Sequence, residues 1–211
     1  MQPHPSLSPP STPTMTSMAS MKLGEGLGAR LNFFAPSPDG EWRILSVNPV
    51  TGPSLPSTDL THFSRTTVTP PTTAESSWIL RGVTSNTRYV TNEERDALNA
   101  ASEGLGRPQA TRAACIPIRK MAAWWALSQQ ERRDIFETQS HHTANSMPYL
   151  PAIARQLHHC RDLGDTDFDF VTWFEYAPED ADAFEELVAK LRASPEWKYV
   201  DREVDIRLER V

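Results

Sequence analysis

Apolar and polar positions alternate with a period of two along Phe168, Phe170, Thr172, Phe174 and Tyr176, set against Asp169, Val171, Trp173 and Glu175. This predicts a strand over 168–176 with one strongly aromatic side. Val204, Ile206 and Leu208 alternate with charges in a final strand, and between the two Phe184, Leu187, Val188 and Leu191 recur at helical spacing in a helix that begins at Pro178. Further strands are predicted over 42–50 (WRILSVNPV), 77–85 (SWILRGVTS) and 111–120 (TRAACIPIRK). Pro117 cannot donate to a ladder and is expected at an edge or a strand end. Helices are predicted over 91–102, opened by a Thr91/Glu94 capping box, and over 128–142, opened by a Ser128/Glu131 box. A third helix is expected from a first turn holding Pro148 and Pro151 to about Cys160, ended by Gly164. The economical architecture is α+β, an antiparallel sheet with helices on one face, and the order of elements suggests two related α+β halves.

Proline divides this pattern, since twelve of the 18 prolines precede residue 75. Residues 1–30 are expected to be a disordered tail, with the domain over 31–211, and the Pro/Ser/Thr-rich stretch 52–77 is expected to be a long loop. Lys+Arg 21 against Asp+Glu 27 leaves a net charge of −6, which gives a phosphate-tracking surface no support and argues against nucleic acid as a partner. Apolar runs such as 121–127 fall far short of the roughly 20 residues that cross a bilayer, and no membrane partner is expected. The first twenty residues carry neither a basic start nor a continuous apolar core, so a cytoplasmic location is expected. Cys115 and Cys160 stand outside any zinc-type spacing and read as reduced thiols.

Candidate chemistry concentrates in the histidine pairs His141-His142 and His158-His159 and in Arg155. Paired histidines on a helix form a solvated face, or one of them serves as an axial ligand to haem iron. A zinc site built from His158, His159 and Cys160 is disfavoured, because adjacent helical residues diverge by about 100°. Arg155, flanked by Ile153 and Leu157, is either a surface arginine with a covered stem or an anion clamp whose fixed fork of donors stays charged at any accessible pH. Trp124 and Trp125 belong to a core or to the wall of a cofactor site. Spacing alone does not choose among these.

The residues Trp124-Trp125, SQQER over 128–132, His142-Thr143, ARQLHH over 154–159 and DFDFVTWFEY over 167–176, in this order and at these separations, resemble the chlorite dismutases. These are haem b proteins of the dimeric α+β barrel superfamily, and the resemblance extends over about 78–211. It implies a ferredoxin-like barrel fold, haem b as cofactor, chlorite as a small anionic substrate and a homodimer of the compact lineage. A proximal histidine and a distal arginine thirteen positions apart fall on His142 and Arg155, with His142 the metal ligand and Arg155 the catalytic residue. The acidic partner of the proximal imidazole falls on Glu196. The haem-edge residues fall on Trp124 and Tyr89, with Asn86 and Lys120 as further candidates for the propionates. The implied reaction converts chlorite to chloride and dioxygen by way of a ferryl species and hypochlorite, with Arg155 retaining the hypochlorite. Coproheme decarboxylases share the fold and the proximal histidine but lack the distal arginine, so Arg155 separates the two. The competing readings are a peroxidase-like or porphyrin-processing haem protein and a non-catalytic haem carrier or sensor. The aromatic strand with Phe168, Phe170, Trp173 and Phe174 is expected to bury a sheet face against a second copy of the chain.

Overall fold

The computed structural model describes residues 31–67, 76–85, 89–164 and 166–211. Its strands are β1 (Leu31–Pro36), β2 (Trp42–Thr51), β3 (His62–Thr66), β4 (Leu80–Thr84), β5 (Arg112–Lys120), β6 (Ala154–His159), β7 (Phe170–Tyr176) and β8 (Val200–Arg210). They close an antiparallel barrel in the order β1-β3-β2-β8-β5-β7-β6-β4, with β4 returning to β1. The helices are α1 (Asn92–Ala101), α2 (Ala122–Ala126), α3 (Gln129–Arg133), α4 (His142–Ser146) and α5 (Ala181–Arg192), and a π-helical turn (Asp134–Gln139) joins α3 to the segment before α4. Both capping boxes are present: Glu94 N donates to Thr91 Oγ1 while Thr91 N donates to Glu94 Oε2, and the same reciprocal pair links Ser128 and Glu131.

The period of two explains how one sheet supports two apolar clusters. Ala113 and Cys115 of β5, Val171 and Trp173 of β7, and Val204, Ile206 and Leu208 of β8 fill the barrel lumen with Phe34, Trp42 and Phe63. Trp173 is fully buried there, its ring 5.4 Å from that of Trp42, 5.9 Å from Phe34 and 6.1 Å from Phe63. The alternate residues Ala114, Ile116, Ile118, Phe170, Phe174 and Tyr176 face outward and pack with Phe184, Leu187, Val188 and Leu191 of α5. Burying one such side chain is worth about 1.5–3 kcal/mol, so the lumen and the α5 layer together dominate stability.

This double burial corrects one expectation. Both sides of the aromatic strand are covered within the chain, Phe168 and Trp173 in the lumen cluster and Phe170 and Phe174 in the α5 cluster, so that strand offers no sheet face to a second copy. The helix expected to run to Cys160 is a second correction. Met147–Tyr149 makes one 3₁₀ turn at Pro148, and Ala154–His159 is then strand β6. Its pattern misleads because polar residues stand on both faces, with His158 fully buried on the same side as Gln156, while Arg155 and Leu157 face outward. Third, β5 lies between β7 and β8 rather than at an edge. Pro117 is tolerated because it pairs with Val171 of β7 but falls in a gap of the β8 ladder, which stops at Cys115 and resumes at Ile118. The stretch 52–77, expected as a loop, contains β3. The expected tail over 1–30 lies outside the described residues, as does Asn86. Among the described residues no helix is long and apolar enough to cross a membrane.

The barrel closes through the short β4–β6 ladder, Val83 with His159 and Thr84 with His158. Gly82 lies at this seam, where an added Cβ would stand 2.7 Å from the His158 Cβ and 3.0 Å from the Cys160 Sγ. Gly82→Ala is therefore expected to lower the unfolding free energy by about 1–3 kcal/mol through overpacking. Urea unfolding followed by tryptophan fluorescence checks this, and an unchanged midpoint would show that the seam has room to spare.

Candidate functional site

A cavity lies between the outer face of the β5–β6–β7 wall and the helices, with about 1080 Å³ of empty space when the open solvent at its mouth is included. The sheet contributes Ile116, Ile118, Arg155, Leu157, Phe170, Thr172 and Phe174, and the helical side contributes His142, Thr143, Ser146, Leu187, Val188 and Leu191. His142 and Arg155 thus enter the same space from different walls. Tyr89, Lys120, Trp124 and Glu196 complete the set of described candidates, all of which line this cavity.

His142 is the first residue of α4, and its Nδ1 is 2.8 Å from Glu196 Oε2. A carboxylate there accepts the Nδ1 proton, fixes the tautomer and leaves Nε2 as the basic nitrogen. Glu196 is buried, and its other oxygen accepts from Lys120 Nζ at 2.7 Å; the Lys120 side chain is only 2% exposed. Burial alone would raise the Glu196 pKa, but the charge of Lys120, then the contacts with His142, outweigh it and hold the carboxyl down at about 2. Lys120 Nζ also stands 4.7 Å from the Trp124 ring and 5.3 Å from that of Trp197. Lys120, expected near the edge of a cofactor, is thus engaged by Glu196.

Arg155 is the contrasting cation. It has no hydrogen bond or ion pair among the described residues, and desolvation alone pushes its pKa below the ordinary value. Arg155 is half-buried on the cavity wall, and a bound anion would supply the counter-charge that the described residues do not. Trp124 is 1% exposed and its indole Nε1 has no partner among the described residues. Its ring meets Tyr89 edge-on at 6.0 Å. Tyr89 holds a left-handed backbone, φ 63°, and is pinned by Arg133, which donates to its carbonyl and pairs with Glu94 at 2.5 Å.

The remaining histidines separate cleanly. His141 precedes α4 in a left-handed conformation. His158 points into the lumen, 4.9 Å from Phe34, and burial followed by the charge of Arg65 pushes its pKa down to about 4. His159 lies on the opposite strand face beside Phe170. His158 and His159 therefore cannot share a metal. Among the described residues no group of three or more His, Cys, Asp and Glu side chains converges on an ion. Sequence reasoning missed Phe136, whose ring stacks on His142 with centroids 4.3 Å apart. It also missed the pair of Arg192 with the buried Glu203, 2.6 Å apart on the cavity wall. No spacing rule points to Phe136, since the π-helical turn breaks the helical period between it and His142.

Three comparisons bear on this geometry. The family model described as chlorite dismutase matches residues 58–210. The chlorite dismutase of Ideonella dechloratans is 36% identical over 122 residues, 57% of this chain, and the chain spans only 40% of the length of that relative. The dimeric chlorite dismutase structure from Nitrobacter winogradskyi is 56% identical with a TM-score of 0.78, covering 85% of this chain and 99% of its own. An imidazole complex of chlorite dismutase from Candidatus Nitrospira defluvii is 30% identical with a TM-score of 0.52, covering 64% of this chain and 56% of its own.

The sign of one pH dependence follows from Glu196. Its folded pKa is depressed from 4.5 to about 2, so its contribution is complete above 4.5 and is lost as pH falls from there toward 2. Glu196→Gln leaves the Lys120 cation buried without a counter-charge and is expected to cost about 3–5 kcal/mol at neutral pH. The gap between wild type and variant should narrow below pH 4.5. Denaturant unfolding at a series of pH values checks this; a gap independent of pH would refute the depressed carboxyl.

Proposed function

Because the chain belongs to the chlorite dismutase family, we propose that it binds haem b in this cavity and converts chlorite to chloride and dioxygen. The unpartnered Arg155 guanidinium carries the proposal, since it presents a positive charge on the cavity wall beside Leu157, Thr172 and Phe174. Two further observations favour a haem. Trp124 Nε1, buried and unpaired among the described residues, is a donor waiting for an acceptor such as a propionate. One histidine, braced by a carboxylate and without companion metal ligands among the described residues, suits an iron that arrives already held by a macrocycle.

In this reading His142 Nε2 would hold the iron, with Glu196 accepting the Nδ1 proton and Lys120 keeping Glu196 ionised. Trp124 and Tyr89 would meet the edge of the macrocycle, and Asn86 is a further candidate there. The chemistry supplied by the bound haem is oxygen-atom exchange, which separates one oxygen from chlorite and rejoins it to the other. The conversion ClO2⁻ → Cl⁻ + O2 balances without any proton or electron. The wall around Arg155 agrees, for Ile116, Leu157, Thr172 and Phe174 include no acid or base. Glu203 is committed to Arg192 and to Trp197 Nε1. A peroxidase-like reaction would need a proton shuttle at this wall.

Arg155 has two tasks. It draws the chlorite anion in and orients it through charge-assisted hydrogen bonds. It would also keep a hypochlorite anion from leaving the cavity, so that the oxygen it carries could join the other and leave chloride. Arg155→Ala is expected to lower the rate about 10- to 150-fold, corresponding to about 1.5–3 kcal/mol for hydrogen bonds to a charge, while haem binding survives. The variant should also bleach its haem after fewer turnovers, and a hypochlorite trap should protect it. An oxygen electrode and the Soret band, followed together during chlorite titration, read both effects; a variant equal to wild type in rate and lifetime would remove Arg155 from this role.

We place the chain as a homodimer, as its Nitrobacter winogradskyi neighbour is described. Light scattering should give a mass near twice 23.7 kDa. A mass equal to one chain, or to five, would contradict the dimer.

A further inference from the structure

We propose that the π-helical turn Asp134–Gln139 is a positioning device for the iron ligand, holding both the His142 ring and its proton acceptor Glu196 through Phe136, Glu137 and Ser140. The inference rests on the haem reading above and deepens it. An i→i+5 turn is rare and is found disproportionately at functional sites, where the extra residue re-aims side chains. Here the chain leaves the turn through Ser140, passes through His141 at φ 49°, a conformation that costs a histidine energy, and enters α4 at His142. A strained residue beside the ligand persists only where its neighbours over-determine it.

Three residues, Phe136, Glu137 and Ser140, hold the His142–Glu196 pair, each acting on a different part of it. Phe136 stacks on the His142 ring with an interplanar angle of 21°, which restricts rotation of the imidazole. Glu137 reaches across the reversal and accepts from Thr143 N at 2.8 Å and Ala144 N at 3.4 Å, satisfying amides at the start of the helix that carries His142. Ser140, buried at 3% exposure, accepts the Glu196 backbone N–H on its Oγ at 2.9 Å, and its carbonyl accepts from Asn145 at 3.1 Å. Ser140 thus ties the segment bearing Glu196 to the turn that aims His142, and the 2.8 Å contact between the two side chains spans a distance fixed by this tether.

The consequence concerns the strength of the Glu196–His142 hydrogen bond. A well-aligned carboxylate gives the imidazole partial anionic character, strengthens its bond to ferric iron and lowers the reduction potential. Ser140→Ala in the haem-loaded chain should loosen that alignment, raising the midpoint potential, lowering the iron–histidine stretching frequency of the ferrous form and weakening haem affinity about tenfold. Ser140→Thr, which keeps the Oγ acceptor, should restore all three toward wild type. Phe136→Leu, which leaves the tether in place but frees the ring, should broaden the iron–histidine band, and it tests the device even if Ser140→Ala fails to fold.

Spectroelectrochemistry and resonance Raman of the three variants read these shifts, with thermal unfolding as the control for folding. Shifts in Ser140→Ala reversed by Ser140→Thr support the device. A folded Ser140→Ala with wild-type potential, frequency and affinity overturns it while leaving the haem reading intact, as does a Phe136→Leu band of wild-type width. A wild-type chain that takes up no haem overturns both.

Discussion

The buried chain of contacts from Lys120 through Glu196 to His142 is the constraint on which the site depends. Each member requires the next: Lys120 and Glu196 are almost completely buried as ions, which is tolerable only because each has the other within 2.7 Å. The second carboxylate oxygen then has no better partner than His142 Nδ1. Three elements far apart in sequence, the end of β5, the start of α4 and the 3₁₀ turn at Pro195–Tyr199, are thereby held at one point. Such a pair contributes little net stability compared with an apolar replacement, and its value lies in fixing the identity of the free imidazole nitrogen.

Around that point the protein sets two cations in contrast. Lys120 is neutralised within the fold, whereas Arg155 has no counter-charge among the described residues. The period of two in β6 produces the difference, turning Gln156 and His158 into the lumen and Arg155 into the cavity, where the adjacent strand residues are apolar or carry only a hydroxyl. The fold therefore leaves a half-buried cation without a counter-charge among the described residues at a place that a small anion can reach. Barrel closure makes this possible, because a lumen packed around Trp173 frees the outer sheet face to serve as one wall of the site.

Much of this was legible in the sequence, for identifiable reasons. β7, β8 and α5 announce themselves because each has one side in the lumen or cavity and regular spacing, and the two capping boxes are local chemistry that tertiary structure rarely overrides. β6 reads as a helix in the sequence because a barrel strand with polar residues on both faces carries no hydrophobic period, and the prolines before it imitate a helix start. Pro117 reads as an edge or strand-end residue because a gap in a central ladder leaves no trace in sequence. His142, Arg155, Glu196, Trp124 and Tyr89 were reached through a resemblance rather than through spacing, and the structure brings all five to one cavity. Phe136 escaped notice because a π-helical turn shifts the register on which helical reasoning relies.

We propose that this cavity, with haem held at His142 and an anion held at Arg155, recombines the two oxygens of chlorite. The most direct measurement is the stoichiometry of dioxygen released by the haem-loaded wild-type chain from a limiting amount of chlorite, with isotopically labelled water as solvent. One dioxygen per chlorite is expected, with both oxygen atoms drawn from chlorite and chloride as the other product. Haem-loaded protein that releases no dioxygen, or dioxygen that carries the label of the solvent, would contradict it.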